Sequence, residues 1–254
     1  MLAEDRYKEI LDLLDKDDSV KVSNLIKRFH VSIETIRRDL QYLETEGYLR
    51  RVYGGAVLSR TESKSRSFPD RVKVATEEKK QIAAIAMRYV EDGESIALDY
   101  GTTTLEVARE LKNHFGNLTI LTNSMAVASE LSAMKGYTII MTGGVLKPDE
   151  YALLGPIAEE MAGKFHVDKA FISATGISQK AGLTDNVLEG IGVQKSFISI
   201  ADEVIVLCSS EKLESVSLSK ICDIDQVNLI ITDKGAPDSI YKRYSDAGIH
   251  IVFE

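Results

Sequence analysis

The feature that most constrains this chain is a series of three apolar stripes at helical spacing near its start. The stripes consist of Ile10, Leu11, Leu13 and Leu14, then Val22, Leu25, Ile26 and Phe29, then Ile33, Ile36, Leu40 and Leu43. Ser23 and Ser32 stand where a hydroxyl can cap the second and third helices. Only His30 and Val31 separate these two helices, so the sequence predicts a tight helix-turn-helix whose third helix projects from the surface.

The third helix carries polar side chains that suit a DNA major groove. Arg and Gln pair bidentately with guanine and adenine edges, and Thr can meet a thymine methyl group or a phosphate. Two β-prone runs follow around a second Arg-Arg pair, and we interpret them as a wing that contacts phosphate or the minor groove. An isolated Arg-Arg pair is often only a solvated face, but two pairs in this setting favour double-stranded DNA as the partner. The predicted DNA-binding residues are Ser32, Glu34, Thr35, Arg37, Arg38, Gln41, Arg50 and Arg51.

Charge is segregated along the chain. The formal net charge is -8, yet residues 21–60 hold eight Lys or Arg against four Asp or Glu. Residues 61–254 hold 20 basic and 28 acidic side chains. A basic segment confined to the second helix, the third helix and the wing is expected for a surface that attracts phosphates from one side. A uniformly acidic enzyme would have no reason for this segregation.

The length of 254 residues predicts two domains. We place a winged helix-turn-helix DNA-binding domain at residues 1–58, a polar linker at 59–74 and a larger domain at 75–254. No apolar run approaches the ~20 residues of a membrane span, so we expect a cytoplasmic protein with no membrane partner and no signal peptide. Cys208 and Cys222 fall within or beside apolar runs and are expected to be reduced core residues.

From Thr76 onward, short apolar runs rich in β-branched residues alternate with helix-length segments. The runs are residues 95–99, 118–122, 137–141, 169–173, 203–207 and 228–232, with a short edge strand at 249–253. Strands that are apolar almost throughout and separated by helices indicate an α/β domain, with a mostly parallel sheet covered on both faces.

Small hydroxyl and glycine residues follow five of these runs. They are residues 99–104, 122–124, 142–144, 174–176 and 209–212. The first segment runs straight into a helix, which places backbone N–H groups and hydroxyls at a helix N-terminus, an arrangement that favours anions. Any one segment could be simple helix capping. Ligands of such sheets gather at the carboxyl ends of the strands, so the convergence of five segments favours a pocket for a phosphorylated small molecule.

The sequence resembles the DeoR-type bacterial transcriptional regulators over nearly the whole chain. In the first domain the resemblance rests on Arg6, Ile10, Leu14, Ser32, Thr35, Ile36, Arg37, Arg38, Asp39 and Leu40, followed by Gly54, Gly55 and Ala56. In the second it rests on Asp99, residues 101–104, 122–124, 143–144, 154–156, 168–171 and 182–184, and Glu189. Asp39 is expected to fix a neighbouring arginine or to cap a backbone group.

The resemblance implies a C-terminal α/β sugar-phosphate sensor domain with the fold of ribose-5-phosphate isomerase-like and CoA-transferase-like proteins. It also implies a regulator, typically a repressor of an operon for sugar uptake or catabolism, that a phosphorylated sugar releases from operator DNA. The predicted effector-binding residues are Asp99, Gly101, Thr102, Thr103, Thr104, Asn123, Ser124, Gly143, Gly144, Lys147, Thr175, Gly176, Glu189, Lys195 and Lys212.

Three departures from the family's pattern concern this ligand. Cys208 stands where the family commonly has Asp, and the lysine that follows is displaced by one position to Lys212. Gln194 and Lys195 stand where many members have Lys-Arg, and Lys147 stands where an arginine is common. Lysine lacks the bidentate fork with which arginine holds phosphate or carboxylate, so we expect a changed ligand or weaker binding.

Two other classes of function are compatible with the sequence. An isomerase or deaminase would share this sheet, but the candidate acids Asp99, Asp185 and Glu189 form no compact pair with a candidate base. The histidines lack metal-ligand spacing and no glycine-rich nucleotide loop is present, so we predict no catalytic residue, metal or cofactor. The other alternative is a DNA-binding protein whose second domain serves only assembly.

Our expected mechanism combines the two domains. The second domain forms a homo-oligomer, a dimer or a tetramer, that presents paired DNA-binding heads. A phosphorylated sugar then shifts the population between an arrangement that binds DNA and one that does not.

Overall fold

The structure is a computed structural model that describes residues 3–17, 19–45, 48–58 and 67–253. The chain divides into two compact units, Met1–Arg66 and Ser67–Glu254. Each unit has a hydrophobic core of its own.

The N-terminal unit has the order of elements of a winged helix. Its elements are α1 (Ala3–Asp17), β1 (Ser19–Lys21), α2 (Val22–Phe29), α3 (Ile33–Thr45), β2 (Leu49–Val52) and β3 (Gly55–Leu58). The strands form an antiparallel sheet in the order β1-β3-β2, in which β2 and β3 make the wing hairpin. The predicted helix-turn-helix and wing are therefore confirmed.

The start of α2 differs from the prediction. The helix begins at Val22, and the residue before it, Lys21, makes no side-chain cap, so Ser23 lies inside the helix and does not cap it. The cause is the strand that precedes it: Lys21 pairs with Gly55, and the Val22 N–H donates to Gly54 O at 2.9 Å, which fixes where the helix can begin.

The core of the N-terminal unit follows the predicted stripes, with one exception. Ile10, Leu14, Leu25 and Ile36 are buried between α1, α2 and α3. Ile33, by contrast, is 38% exposed. It is the first residue of α3, at the end of the helix where packing against α2 is incomplete.

A buried ion pair joins α1 to α3. Arg6 Nε donates to Asp39 Oδ2 at 2.7 Å, and Arg6 Nη2 donates to Asp39 Oδ1 at 3.0 Å. The two side chains are only 10% and 3% exposed. Asp39 therefore binds an arginine of α1, whereas the sequence led us to expect a bond to a neighbouring arginine of α3 or to a backbone group.

The C-terminal unit is an α/β domain around a seven-stranded sheet. Its helices are α4 (Phe68–Val72), α5 (Thr76–Ala86), α6 (Thr102–His114), α7 (Met125–Leu131), α8 (Pro156–Ala162), α9 (Leu188–Ile200) and α10 (Asp238–Asp246). Its strands are β4 (Ser95–Leu98), β5 (Leu118–Thr122), β6 (Tyr137–Met141), β7 (Val145–Lys147), β8 (Ala152–Leu154), β9 (Val167–Ser173), β10 (Gly176–Ser178), β11 (Gly182–Asp185), β12 (Ala201–Leu207), β13 (Ser219–Cys222), β14 (Leu229–Ile231) and β15 (Ile251–Val252). Short 3₁₀ turns lie at Met87–Tyr89, Ser210–Lys212 and Ile224–Gln226.

The main sheet has the order β15-β14-β12-β9-β4-β5-β6, and all of its pairings are parallel. Helices cover both faces, as predicted. Alternate strand residues serve opposite faces: Ile96 packs with side chains of α5 to α7, whereas Ala97 packs with side chains of α8 to α10. An antiparallel sheet, β10-β11-β13, and the β7–β8 hairpin complete the unit.

The predicted linker extends too far toward the C-terminus. Residues 59–66 of that prediction lie outside the described residues, but Phe68–Val72 form α4 and belong to the C-terminal unit. Phe68 is 4% exposed, and its N–H donates to Asp149 O at 2.7 Å. This apolar anchor, followed by Pro69 in the first turn of the helix, ends the linker earlier than composition indicated.

Both cysteines are buried and free, as expected. Burial raises the pKa of the Cys208 thiol to about 12 and that of Cys222 to about 11. Within the described residues, no helix combines the length and apolar character that a membrane span requires.

The ion pair between α1 and α3 gives a prediction about the N-terminal unit. Arg6→Met leaves the Asp39 carboxylate buried without its partner, and we expect a loss of about 3–5 kcal/mol in the free energy of unfolding of this unit. Hydrogen exchange of α3 peptides in the full chain measures that loss without interference from the C-terminal unit.

Glu9→Gln is the matched control, because Glu9 accepts from Arg28 in an exposed pair at 2.9 Å. Such pairs contribute about 0–1 kcal/mol. Replacing both buried partners, as in Arg6→Met with Asp39→Leu, should recover much of the loss. Equal effects of Arg6→Met and Glu9→Gln would contradict the structural role of the buried pair.

Candidate functional site

The outer face of α3 carries the predicted DNA-binding residues. Glu34, Arg37, Arg38 and Gln41 are exposed, and Thr35 is half-buried. Ser32 acts as the predicted cap, since its Oγ accepts from the Thr35 N–H at 3.2 Å and lies 3.0 Å from Thr35 Oγ1. The structure thus places these side chains on one face, and their roles in DNA binding stay predictions.

The wing holds one of its two arginines against α3. Arg51 donates to Glu44 through both its backbone N–H, at 2.8 Å, and its Nε, at 2.7 Å. These bonds lower the pKa of the Glu44 carboxyl. Arg50 lies in β2, and its side chain falls outside the described residues. At the tip, Tyr53 is fully exposed beside Gly54, whose φ is +82°. The sequence reading did not single out this exposed aromatic.

In the C-terminal unit, the predicted loops follow strands on both sides of the topological switch point of the sheet. From β4 the chain proceeds through β5 to β6 on one side, and from β9 it proceeds through β12 and β14 to β15 on the other. Open α/β sheets bind ligands at the carboxyl ends of their strands, at the place where the strand order reverses. Asp99 follows β4 at this place, and Ser173 ends β9 beside it.

The buried carboxylate of Asp99 connects three elements at this edge. Its Oδ1 accepts from the Gly101 N–H at 3.0 Å and from Thr104 Oγ1 at 2.6 Å. Its Oδ2 accepts from the Ser173 N–H at 2.9 Å and from Gln194 Nε2 of α9 at 3.1 Å. Burial raises the pKa of Asp99, and these hydrogen bonds oppose the rise. Asp99 therefore positions its neighbours from below the surface.

The start of α6 packs closely on β9. Thr103 and Thr104 are buried, Thr102 is half-buried, and the helix has no side-chain cap at Gly101. A Cβ at Gly101 would lie 2.0 Å from Ser173 Oγ, so only glycine fits there. Thr104 Oγ1 also lies 2.7 Å from Ser173 Oγ, which shows that its hydroxyl is used within the protein.

The loop after β5 is tied to the β7–β8 hairpin. Ser124 caps α7, with its Oγ accepting from the Val127 N–H at 3.3 Å. Asn123 binds Leu153 twice: its Nδ2 donates to Leu153 O at 3.2 Å, and its backbone O accepts from the Leu153 N–H at 2.8 Å. The hairpin therefore lies over this part of the sheet edge.

Gly143 and Gly144 lead from β6 into this hairpin. Gly144 has a φ of +112°, and a Cβ there would lie 2.9 Å from Leu154 O, so the tight turn requires glycine. Lys147 of β7 reaches the start of α9, where its Nζ donates to Glu189 Oε1 at 2.7 Å. That bond raises the pKa of Lys147 and lowers the pKa of Glu189. Two predicted effector residues therefore pair with each other.

The loops after β9 and β12 supply the remaining predicted residues. Thr175 is half-buried, whereas Gly176 starts β10 and is buried where a Cβ would lie 2.8 Å from Ser215 O. Lys195 of α9 is exposed, and Lys212 is half-buried in the 3₁₀ turn after β12. The structure thus gathers the predicted loops at one edge, but it shows a packing role for Gly176.

The sequence reading missed two buried side chains of this edge, Tyr100 and Gln194. It treated Gln194 only as a departure from the family pattern, although Gln194 Nε2 holds both Asp99 and the Ser173 carbonyl, at 3.2 Å. The available signal was spacing: Gly190 and Gln194 are four residues apart on α9 and so share the face that meets the sheet edge.

The fold and this site define a class of protein: a transcriptional regulator with a winged-helix DNA-binding unit and an α/β sensor unit. The family model of the DeoR-like helix-turn-helix domain matches residues 6–62, and that of the DeoR C terminal sensor domain matches residues 74–234. The chain therefore belongs to the DeoR family of DNA-binding transcriptional regulators.

Relatives of similar length support this assignment. The HTH-type transcriptional regulator GolR of Listeria innocua is 32% identical over 97% of each chain. The HTH-type transcriptional repressor GlcR of Bacillus subtilis is 34% identical over 92% of this chain and 90% of its own. A putative aga operon transcriptional repressor of Escherichia coli O157:H7 is 32% identical over 98% of this chain and 93% of its own.

Among solved structures, the chain is similar to ribose 5-phosphate isomerase A from Methanocaldococcus jannaschii. The TM-score is 0.41, with 19% sequence identity over 54% of each chain. A likeness at this level carries no information about activity.

The exposed face of α3 yields a prediction about DNA binding. If Arg37 or Arg38 pairs with a base, its replacement by alanine should cost about 1–3 kcal/mol on the operator and relax sequence preference at one position. If the arginine contacts a phosphate instead, its replacement should weaken binding to all sequences. It should also reduce the slope of log affinity against log salt concentration by about one. Fluorescence anisotropy on operator duplexes at several salt concentrations distinguishes the two.

Arg243→Ala is the control, because this exposed arginine lies on α10 of the C-terminal unit and pairs with Glu214 at 3.2 Å. It should leave DNA affinity unchanged. Native affinity in both the Arg37→Ala and the Arg38→Ala proteins would contradict the prediction that α3 reads DNA.

Proposed function

We propose that the protein represses a sugar uptake or catabolism operon and that a phosphorylated sugar, bound at the carboxyl edge of the main sheet, releases it from the operator. The observation that carries the proposal is that the Asp99 loop, the Asn123 loop and the Gly143-Gly144 turn follow three adjacent strands at the carboxyl edge of the sheet, the first of them at the switch point. The names of relatives, among them a putative repressor of an aga operon, support the operon class.

The chemistry of the edge suits a phosphate group at its outer side. The helix α6 begins without a side-chain cap at Gly101, and the backbone N–H groups of such a helix N-terminus favour an anion. Lys147 and Lys195 are exposed on the hairpin and α9, and Lys212 is half-buried after β12. Lysines bind phosphate as point charges, without the fixed fork of arginine.

We propose binding without turnover at this edge. Each acid named as a catalytic candidate already has partners: Asp99 accepts four hydrogen bonds, Asp185 accepts from the Asn186 and Val187 N–H groups, and Glu189 binds Lys147. Regulators among the relatives support the same reading.

We also propose a homo-oligomer, formed through the C-terminal unit. Val145 of the hairpin, Ile157 of α8 and Leu188 of α9 are each more than half exposed, at 61%, 63% and 57%. The three elements are neighbours in the fold. Apolar side chains exposed on neighbouring elements favour an interaction site, and a second copy would bury them while pairing the DNA-binding heads. Light scattering of the full chain measures this state.

The coupling that this function needs is small. A tenfold loss of operator affinity corresponds to about 1.4 kcal/mol of difference between the effector's binding free energies in the two states. One charge-assisted hydrogen bond to phosphate, worth about 1.5–3 kcal/mol, would supply it if it formed in one state alone.

The direct test is binding to the promoter region of the protein's own gene, measured by fluorescence anisotropy at ~0.15 M salt because phosphate contacts make affinity depend on salt. The titration is run alone and with a panel of hexose and pentose phosphates. We expect at least one sugar phosphate to weaken binding tenfold or more. Unchanged affinity with every member at saturating concentration would refute release by a sugar phosphate.

The predicted phosphate position is tested by Thr102→Glu in the same assay. A carboxylate in the first turn of α6 interacts favourably with the helix dipole, so the fold and the operator affinity should persist. The same charge should repel the phosphate and lower the sensitivity to the effector at least tenfold. Thr102→Gln, of equal size and uncharged, is the control and should respond more strongly than Thr102→Glu. Equal responses of the two would place the phosphate elsewhere.

A further inference from the structure

Four buried side-chain polar atoms make no hydrogen bond within the described residues: the Tyr100 hydroxyl, Asn123 Oδ1, Gln194 Oε1 and Thr232 Oγ1. The first three belong to residues that contact β8, α9 or the Asp99 carboxylate at the carboxyl edge of the main sheet. Buried polar groups in folded proteins are nearly always paired, and an unpaired one reduces stability. Several in one place indicate a partner that comes from outside the chain.

The hairpin packs on Tyr100 and Asn123, and α9 carries Gln194. The Tyr100 ring packs with Ala152 and Leu154 of β8. Its hydroxyl faces Gly190 of α9, where a Cβ would lie 2.0 Å away. Asn123 binds Leu153 of the same strand through its Nδ2. The site therefore lies beneath β8 and beside α9.

Two hydrogen bonds orient the side-chain amide of Gln194. Its Nε2 donates to Asp99 Oδ2 at 3.1 Å and to Ser173 O at 3.2 Å, which leaves Oε1 as an acceptor without a donor. Asn123 is oriented in the same way, since its Nδ2 is used and its Oδ1 is not. The unsatisfied groups at this edge are thus two amide oxygens and one hydroxyl, next to the buried carboxylate of Asp99.

We infer that this inner site takes the uncharged, polyhydroxyl end of the effector, and that Tyr100 determines which sugars are accepted. Amide oxygens accept hydrogen bonds from sugar hydroxyls, whereas they and Asp99 would repel a phosphate. The phosphate then remains at the outer side, near Thr102 and Lys147. The inference rests on the proposed function and adds to it the orientation of the ligand and the residues that select it.

The test removes one oxygen atom by Tyr100→Phe. Binding of sugar phosphates and of inorganic phosphate is measured by calorimetry on the full chain, and thermal unfolding is measured without ligand. We expect affinity for the best sugar phosphate to fall at least tenfold, while affinity for inorganic phosphate changes less than twofold. The thermal midpoint should not fall, because the lost hydroxyl has no partner in the free protein.

Tyr137→Phe is the matched control. The Tyr137 hydroxyl donates to Leu111 O at 2.9 Å and to Phe115 O at 3.2 Å. Its removal should lower the thermal midpoint and leave sugar-phosphate affinity unchanged. Native affinity in Tyr100→Phe, or a drop in its midpoint as large as that of Tyr137→Phe, would overturn the inference. Failure of the unmodified protein to bind any sugar phosphate would instead refute the proposed function.

Independent contacts fasten the turn of the same hairpin to α4, the first described element after residue 66. Arg71 Nη2 donates to Glu150 Oε2 at 2.5 Å, with the side chains 21% and 15% exposed. The Phe68 ring stacks on Tyr151 at 6.0 Å between centroids. Lys79 Nζ then holds the end of α4 by donating to Arg71 O at 2.5 Å, and burial lowers its pKa to about 8.

We propose that the pair Arg71–Glu150 transmits the occupancy of the effector site to the DNA-binding unit. The β7–β8 hairpin touches the site through Leu153 and Leu154, and its turn holds α4 through Glu150. A ligand that displaces the hairpin therefore changes the position of the segment that follows the linker. A differential contact of this kind is what coupling between two sites requires.

The test exchanges the charges of the pair in the full chain. Arg71→Glu and Glu150→Arg alone should keep the affinity for the sugar phosphate within threefold, yet reduce its effect on operator binding at least tenfold. The two substitutions together should restore the response, since they restore the ion pair with its charges reversed. Retained affinity for the sugar phosphate in each single variant shows that the single variants are folded.

The control exchanges the exposed pair of Lys80 and Glu77 on α5, which are 2.9 Å apart. That exchange should leave both affinities and the response to effector unchanged. A native response in both Arg71→Glu and Glu150→Arg, or no recovery in the double variant, would overturn the proposal.

Discussion

The C-terminal unit depends on one buried carboxylate. Asp99 ends β4 at the place where the strand order of the sheet reverses, and its two oxygens hold the start of α6, the end of β9 and the amide of Gln194 on α9. A charge taken out of water is tolerated only when hydrogen bonds replace its hydration. The same bonds that satisfy Asp99 therefore fix the loops that form the edge of the sheet.

A buried charge has the same structural role in the N-terminal unit. Arg6 and Asp39 both belong to the family pattern, and their bidentate pair fixes α1 against α3. Because Asp39 follows Arg37 and Arg38 directly, its orientation settles which face of α3 the arginines occupy. In both units, hydrogen bonds to a buried carboxylate fix the elements that carry the predicted binding residues.

Most of the architecture could be predicted from the sequence, because the spacing of apolar residues indicates which side chains are buried. The runs at 118–122 and 137–141 coincide with β5 and β6, since strands apolar on both faces leave a clear pattern. The linker, the start of α2 and the partner of Asp39 were not predictable, because each depends on a contact distant in sequence, such as Phe68 with Asp149. The loops of the site followed from strand ends, but Tyr100 was not predictable because it resembles an ordinary core aromatic.

We propose that effector and operator compete through one conformational equilibrium. Such coupling is reciprocal: a sugar phosphate that weakens operator binding by some factor must itself bind more weakly, by the same factor, to the DNA complex. The decisive measurement is calorimetry of the sugar phosphate with the full chain, free and saturated with operator duplex. We expect the sugar phosphate to bind the complex more weakly, by the same factor as that seen in DNA release. Equal affinity for both forms would contradict it.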